Sequence, residues 1–374
     1  MAINLFDPNF YRAANPDLAA AGLTTDSQLT SHFDNFGLNE GRRFSLFADL
    51  SFYRASNSDL GSFNNRQLYD HLQNNGVQEG RHFSPFVDLD YYMTLNPDVN
   101  QAYNGSREGA LDHLQRYGLE QGRQFSPFVA LPFYGGLNSD LSNFNNRQLF
   151  EHLQRYGLNE GRLFDEFVDL NVYLNANPDI NQAFNGNREL ALQHLEIYGL
   201  TEGRTFSRFF DINYYKSNNP DLGAAGFTGR QLFNHFESYG LYLEARPGRS
   251  DVAGNTLNTA TNITVSSSAN YYIDYLGVSD TDDYYQFVLN QPSTFFLAAG
   301  EFANNDLVQN TLGSRFGELL DSTGQVLASG NYTTQADDLD IQTPLQPGTY
   351  YLHFRTSSSG GDNYAFVIAA AAIE

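Results

Sequence analysis

The 374-residue chain predicts a multidomain α + β protein, an N-terminal α-helical repeat array followed by an antiparallel, jelly-roll-like β-sandwich. Three observations predict it. A histidine-led phrase recurs six times before residue 250, the composition shifts at "EARPGRSDVAGNT" (244–256), and beyond that point apolar and polar residues alternate. The expected domains are 1–249 for the repeats and 250–374 for the sandwich.

The repeats are anchored on His32, His71, His113, His152, His194 and His235, spaced by 39, 42, 39, 42 and 41 residues. A glycine follows each histidine by five residues, at Gly37, Gly76, Gly118, Gly157, Gly199 and Gly240. Each unit closes on an arginine: Arg42, Arg81, Arg123, Arg162, Arg204 or Arg246. Upstream stands Asn-Pro-Asp or Asn-Ser-Asp. In copies one, three and five the form has Pro and puts Asp 15 residues before the histidine; copies two and four have Ser, with Asp 12 before. The six units of about 40 residues therefore alternate pairwise.

Each unit reads as short helices. Asp7-Pro8 is an N-cap followed by proline at the first helical position, where the missing N–H costs nothing. Asn15-Pro16-Asp17 is expected to do the same, with Asn15 as the cap and Asp17 in the dipole-favoured first turn. Leu29, His32, Phe33 and Phe36 fall on one helical face. Gly37 is expected to end that helix as a left-handed cap, and Gly41 to make a second such turn.

In the C-terminal part, "DYYQFVL" puts Tyr285, Phe287 and Leu289 on one face and Tyr284, Gln286 and Val288 on the other. In "GTYYLHFRT", Tyr350, Leu352 and Phe354 face inward; Tyr351, His353 and Arg355 face outward. "DSTGQ" (321–325) and "QPGT" (346–349) are turn signals.

Composition narrows the chemistry. The net charge of -22 disfavours nucleic acid and anionic membranes, and cysteine is absent, which excludes disulfides and thiolate sites. No apolar run is long enough for a membrane span, and the N-terminus does not read as a signal peptide. No nucleophile elbow, metalloprotease or phosphate-loop motif is present, so no catalytic residue is assigned and no enzyme is expected. A hydrolase with an unrecognised site is the minor alternative.

Six histidines at near-equal spacing could be metal ligands or proton switches. The favoured expectation is a building device, each imidazole packed inside its unit and bonded to a neighbouring turn. The six arginines are expected to pair with the recurrent aspartates or helix-end carbonyls. His82 and His353 stand alone and are expected to be exposed. Asp280, Asp282 and Asp283 crowd one loop, and Asp337, Asp338 and Asp340 another. Calcium would relieve their repulsion through oxygen ligands; solvated turns are the alternative.

The segments "SDTDDYYQFVL", "LLDSTGQVLASG", "LQPGTYYLHF" and "DNYAFVI" resemble, in order and spacing, the bacterial pre-peptidase C-terminal domain. That resemblance implies an extracellular accessory or binding module. The repeats look like the Asn-Pro-Asp, Tyr-Gly, Glu-Gly-Arg repeats of cyanobacterial secreted and surface proteins. The resulting expectation is a non-enzymatic extracellular or cell-surface protein, exported without an N-terminal signal peptide. It would self-assemble head to tail, as a homopolymer, into a filament, sheath or layer. The alternative is calcium-dependent binding of a surface polysaccharide, with the repeats as spacer.

Overall fold

The computed structural model describes residues 3–241, 244, 246–277, 280–301, 315–332, 339–356 and 362–373. It is α + β, with helices first and two sheets after them. Contacts divide the chain into two compact units. One holds Met1–Arg208 and Thr228–Asn234; the other holds Phe209–Phe227 and His235–Glu374, so the sixth repeat contributes to both.

Every repeat is built the same way. A seven-residue helix opens it, as at Pro8–Ala14, where the Asp7 carboxylate accepts from the N–H groups of Asn9 and Phe10. A short second helix follows, and then a third that ends at the histidine, as at Asp26–His32. The unit closes when the N–H of the opening cap donates to a carbonyl at the unit's end: Asp7 to Phe44, Asp49 to Phe83, Asp88 to Phe125, Ala130 to Phe164, Asp169 to Phe206 and Asp211 to Gly248.

The pairwise alternation has a local cause. In copies three and five, Pro97–Ala102 and Pro178–Phe184 are α-helical, and the chain then leaves through Asn104 and Asn185 in the left-handed region. In copies two and four the same place holds only one 3₁₀ turn, Ser58–Leu60 or Ser139–Leu141. The next helix then starts on Asn64 or Asn145, each in a reciprocal capping box with Gln67 or Gln148.

Beyond the histidine the helix does not stop. It widens into one π turn, Phe33–Gly37 in the first copy and its counterparts in all six. Gly157 has φ -56°, and none of the six glycines is left-handed, so the expected cap is not there. The left-handed turn falls four residues later, at Gly41, Gly80, Gly122, Gly161 and Gly203, as expected for Gly41. The wider turn also rotates Phe36 off the apolar face. Leu29 and Phe33 are buried, while Phe36 is exposed.

Within the first compact unit, repeats touch both the next copy and the third one along. Asn65 Nδ2 donates to the Leu38 carbonyl of the preceding copy. Arg43 of copy one donates to the side-chain and backbone oxygens of Gln154 in copy four. Phe150 of copy four packs on Phe47, Phe86 and Phe125 from the first three copies, with ring centres 5.1–6.0 Å apart.

Among the described residues the sandwich has nine strands: β1 Thr261–Asn262, β2 Asn270–Leu276, β3 Asp282–Leu289, β4 Ser293–Glu301, β5 Arg315–Leu320, β6 Val326–Tyr332, β7 Leu339–Leu345, β8 Gly348–Thr356 and β9 Asp362–Ala372. Their orders are β1-β3-β8-β5-β6 and β2-β9-β4-β7, antiparallel except for the β1–β3 pair. Tyr285, Phe287 and Leu289 face the core, as their alternation predicts, with Leu352 and Phe354 from β8. Tyr350 is only partly buried against it.

Candidate functional site

The recurrent residues converge on one joint per repeat. A fully buried tyrosine, four residues past the opening cap, bonds Nδ1 of the histidine in all six copies, from Tyr11–His32 to Tyr215–His235, at 2.7–3.0 Å. Burial pushes the Tyr11, Tyr92 and Tyr134 hydroxyls up to about 12. Each hydroxyl thus keeps its proton, and it donates to Nδ1 in the tautomer that carries the ring proton on Nε2. The same hydroxyl rests on the glycine five residues past the histidine, where a Cβ would collide with it. Glycine is required by that close approach, with no demand on φ.

Arginine locks the other side. Arg42, Arg81, Arg123, Arg162, Arg204 and Arg246 donate to Asp17, Asp59, Asp98, Asp140, Asp179 and Asp221 at 2.7–2.9 Å. The guanidinium holds Asp59, Asp98, Asp140, Asp179 and Asp221 below the usual carboxylate range. The same arginines reach the side-chain oxygen of the recurrent asparagine, as Arg123 does Asn96 and Arg246 does Asn219. Asn15 stands at the N-cap but does not cap with its side chain. Its Nδ2 donates to the carbonyls of Tyr11 and Arg43, tying the joint to the segment that leaves the unit. Proline and aspartate hold their expected places in that turn.

In the sandwich the expected aspartates part company. Strand alternation sends Asp283 inward and Asp282 outward. Asp282 and Glu318 clasp His353 through its two ring nitrogens at 2.9 Å, and Tyr284 stacks on it at 4.0 Å. His353 is thus buried, against the expectation of exposure, because two acids and a ring cover it; His82 is exposed as expected. Asp340 is exposed on β7, and Asp337 and Asp338 lie outside the described residues.

Asp280 and Asp283 meet a third acid that the sequence did not single out, Asp251. One carboxylate oxygen from each lies within 4.8 Å of the others. Asp283 is wholly buried; its Oδ2 accepts from Tyr364 at 2.6 Å, while its Oδ1 has no hydrogen-bond partner. Burial, then the nearby Asp274, Asp280 and Asp251, push it up to about 9, and burial with Asp251 and Asp274 pushes Asp280 up to about 6. Behind Tyr364, Tyr285 donates to Asp274, whose other neighbour is Arg249. The three carboxylates offer one oxygen each to a common point, a group that could hold a metal ion. Counting back by two from Tyr285 along "DDYYQF" would have placed Asp283 inward; nothing in the sequence pointed to Asp251.

No family model matches the chain, and no curated protein matches it. Solved structures similar to it cover less than a third of its length. The pre-peptidase C-terminal domain of a collagenase from Bacillus anthracis is 14% identical, covering 29% of this chain and 92% of its own, with a TM-score of 0.23. A β-1,3-glucan-binding module from Bacillus halodurans is 16% identical over 29% of this chain and 89% of its own, with a TM-score of 0.19. A family 35 carbohydrate-binding module from Clostridium thermocellum is 16% identical over 28% and 95%, with a TM-score of 0.18. At such values no function transfers. No helix among the described residues is long and apolar enough to cross a membrane.

Proposed function

We propose that the chain is a non-enzymatic extracellular structural protein that assembles with copies of itself. The observation supporting this is the residue four past each histidine. It is Phe36, Tyr117, Tyr156, Tyr198 or Tyr239 in five of the six copies, and each ring is 42–58% exposed. Each leans on its histidine with ring centres 5.4–5.7 Å apart. Large rings held exposed at the same position of five units are candidate contact residues, of the composition that interfaces favour. The histidines support the non-enzymatic reading, since all six are committed to tyrosines. Light scattering and electron microscopy of concentrated protein test the proposal. Assembly that is lost in a Tyr117→Ser, Tyr156→Ser, Tyr198→Ser variant is expected; a monomer at every concentration, with and without calcium, overturns it.

A second reading is favoured by Asp283. A calcium ion held by Asp251, Asp280 and Asp283 would make the sandwich a calcium-dependent module for a surface polysaccharide, with the repeats as spacer. Calorimetric titration with calcium, then a glycan array with and without it, decides this reading. No calcium binding at millimolar concentrations rules it out.

A further inference from the structure

The opening caps of copies one, two and three face the third helices of copies four, five and six, and two of these three junctions are closed by a guanidinium. Asp7 uses Oδ1 for its helix and accepts Arg147 of copy four on Oδ2. Asp88 uses Oδ1 the same way and accepts both Arg230 and Asn234 of copy six on Oδ2, at 3.1–3.3 Å. Arg147 and Arg230 both stand five residues before their unit's histidine. The equivalent residue of copy five is Glu189, and its junction opposes it to Asp49.

The consequence is an opening. Asp49 and Glu189 line one cavity of about 470 Å³, within the size range of small-molecule sites. Asp49 caps its helix through Oδ1, and neither its Oδ2 nor the Glu189 carboxylate has a side-chain partner among the described residues. Three arginines in the wall have partners of their own. Arg43 is bonded to Gln154 and lies over the Phe10 ring, Arg42 is paired with Asp17 and Glu40, and Arg54 donates through Nη2 to Asn65 and the Phe63 carbonyl, while its buried Nε has no hydrogen-bond partner. Burial and Asp49 raise the Glu189 carboxyl, partly offset by Arg43.

We propose that this cavity is a binding site for a guanidinium or similar organic cation, seated between Asp49 and Glu189 where the two sister junctions carry their own arginine. A charge-assisted pair with two carboxylates is the strong form of such recognition. The cation has two possible sources, a free small molecule or an arginine side chain presented by a peptide. Agmatine and a Gly-Arg-Gly tripeptide are the two probes.

The test is calorimetry on the full chain with each probe, for the wild type, Glu189→Gln and Glu189→Arg. Glu189→Gln should weaken binding at least about tenfold. Glu189→Arg should abolish it and raise the melting temperature, because the chain then fills its own junction as copies four and six do. Glu108→Gln, outside the cavity wall, should leave it unchanged. Agmatine alone binding means a free ligand, and the tripeptide alone a presented side chain. Neither binding, binding equal in Glu189→Arg, or loss in Glu108→Gln overturns the proposal. A Glu189→Arg chain no more stable than the wild type also counts against it.

Discussion

Tyr134 bonds Nδ1 of His152 at 2.7 Å and lays the same hydroxyl against Gly157. One tyrosine thus fixes both the residue that ends a helix and the glycine that closes the π turn after it. Gly157→Ala forces the hydroxyl away and should cost about 1–3 kcal/mol, as overpacking does. Denaturant unfolding measures it. Gly223→Ala, in a helix with open space around it, is the control and should not destabilise. Equal effects at the two sites would refute this account of the joint.

Burial lowers the pKa of His113, His152, His194 and His235. The unfolded chain takes up protons near pH 6.5 while the folded chain resists them. Their contribution is therefore complete above about pH 6.5 and is lost as pH falls below it. Glu166, pushed up by burial to about 7, acts oppositely, holding a proton in the folded state and losing stability as pH rises. The histidine share is the difference between wild type and His113→Asn, His152→Asn, followed by melting temperature from pH 7 to 5. The wild type should fall more steeply.

Arg230 lies buried between Asp88 and Glu196, 3.1 and 2.6 Å away. Removing it strands two buried carboxylates, so Arg230→Ala should cost about 3–5 kcal/mol. Adding Glu196→Gln to that variant should recover part of the loss, since Glu196 then needs no counter-charge. Chemical denaturation of the single and double variants checks both statements.

Asp283→Asn should raise stability in chelator, because it replaces a buried carboxylate that has one oxygen unpaired. The same change should remove any rise in melting temperature that calcium gives the wild type. A calcium effect that survives in Asp283→Asn places the ion elsewhere.

Periodicity alone carried the repeat count and the inward face of β3, and narrowed the partners of the recurrent arginines to aspartates or helix-end carbonyls, because each repeats in sequence what it repeats in space. Three things were not legible. Gly37 and its counterparts look like helix stops, since glycine has the same letter whether a left-handed φ or a close approach requires it. Asn15 sits where a cap sits, but its amide is drawn away by two carbonyls that lie 4 and 28 residues distant. Asp251 reaches Asp280 and Asp283 only through folding, and no local spacing announces that.

The tyrosine and histidine of each joint are 21 residues apart in copies one, three and five but 18 in copies two and four, yet their bond is the same length to within 0.1 Å. Three residues can thus enter or leave the span between them without disturbing either end. That span is an editable slot in an otherwise rigid template: its length and lettering are free to drift, or to be rewritten by an engineer, while the scaffold around it keeps its register.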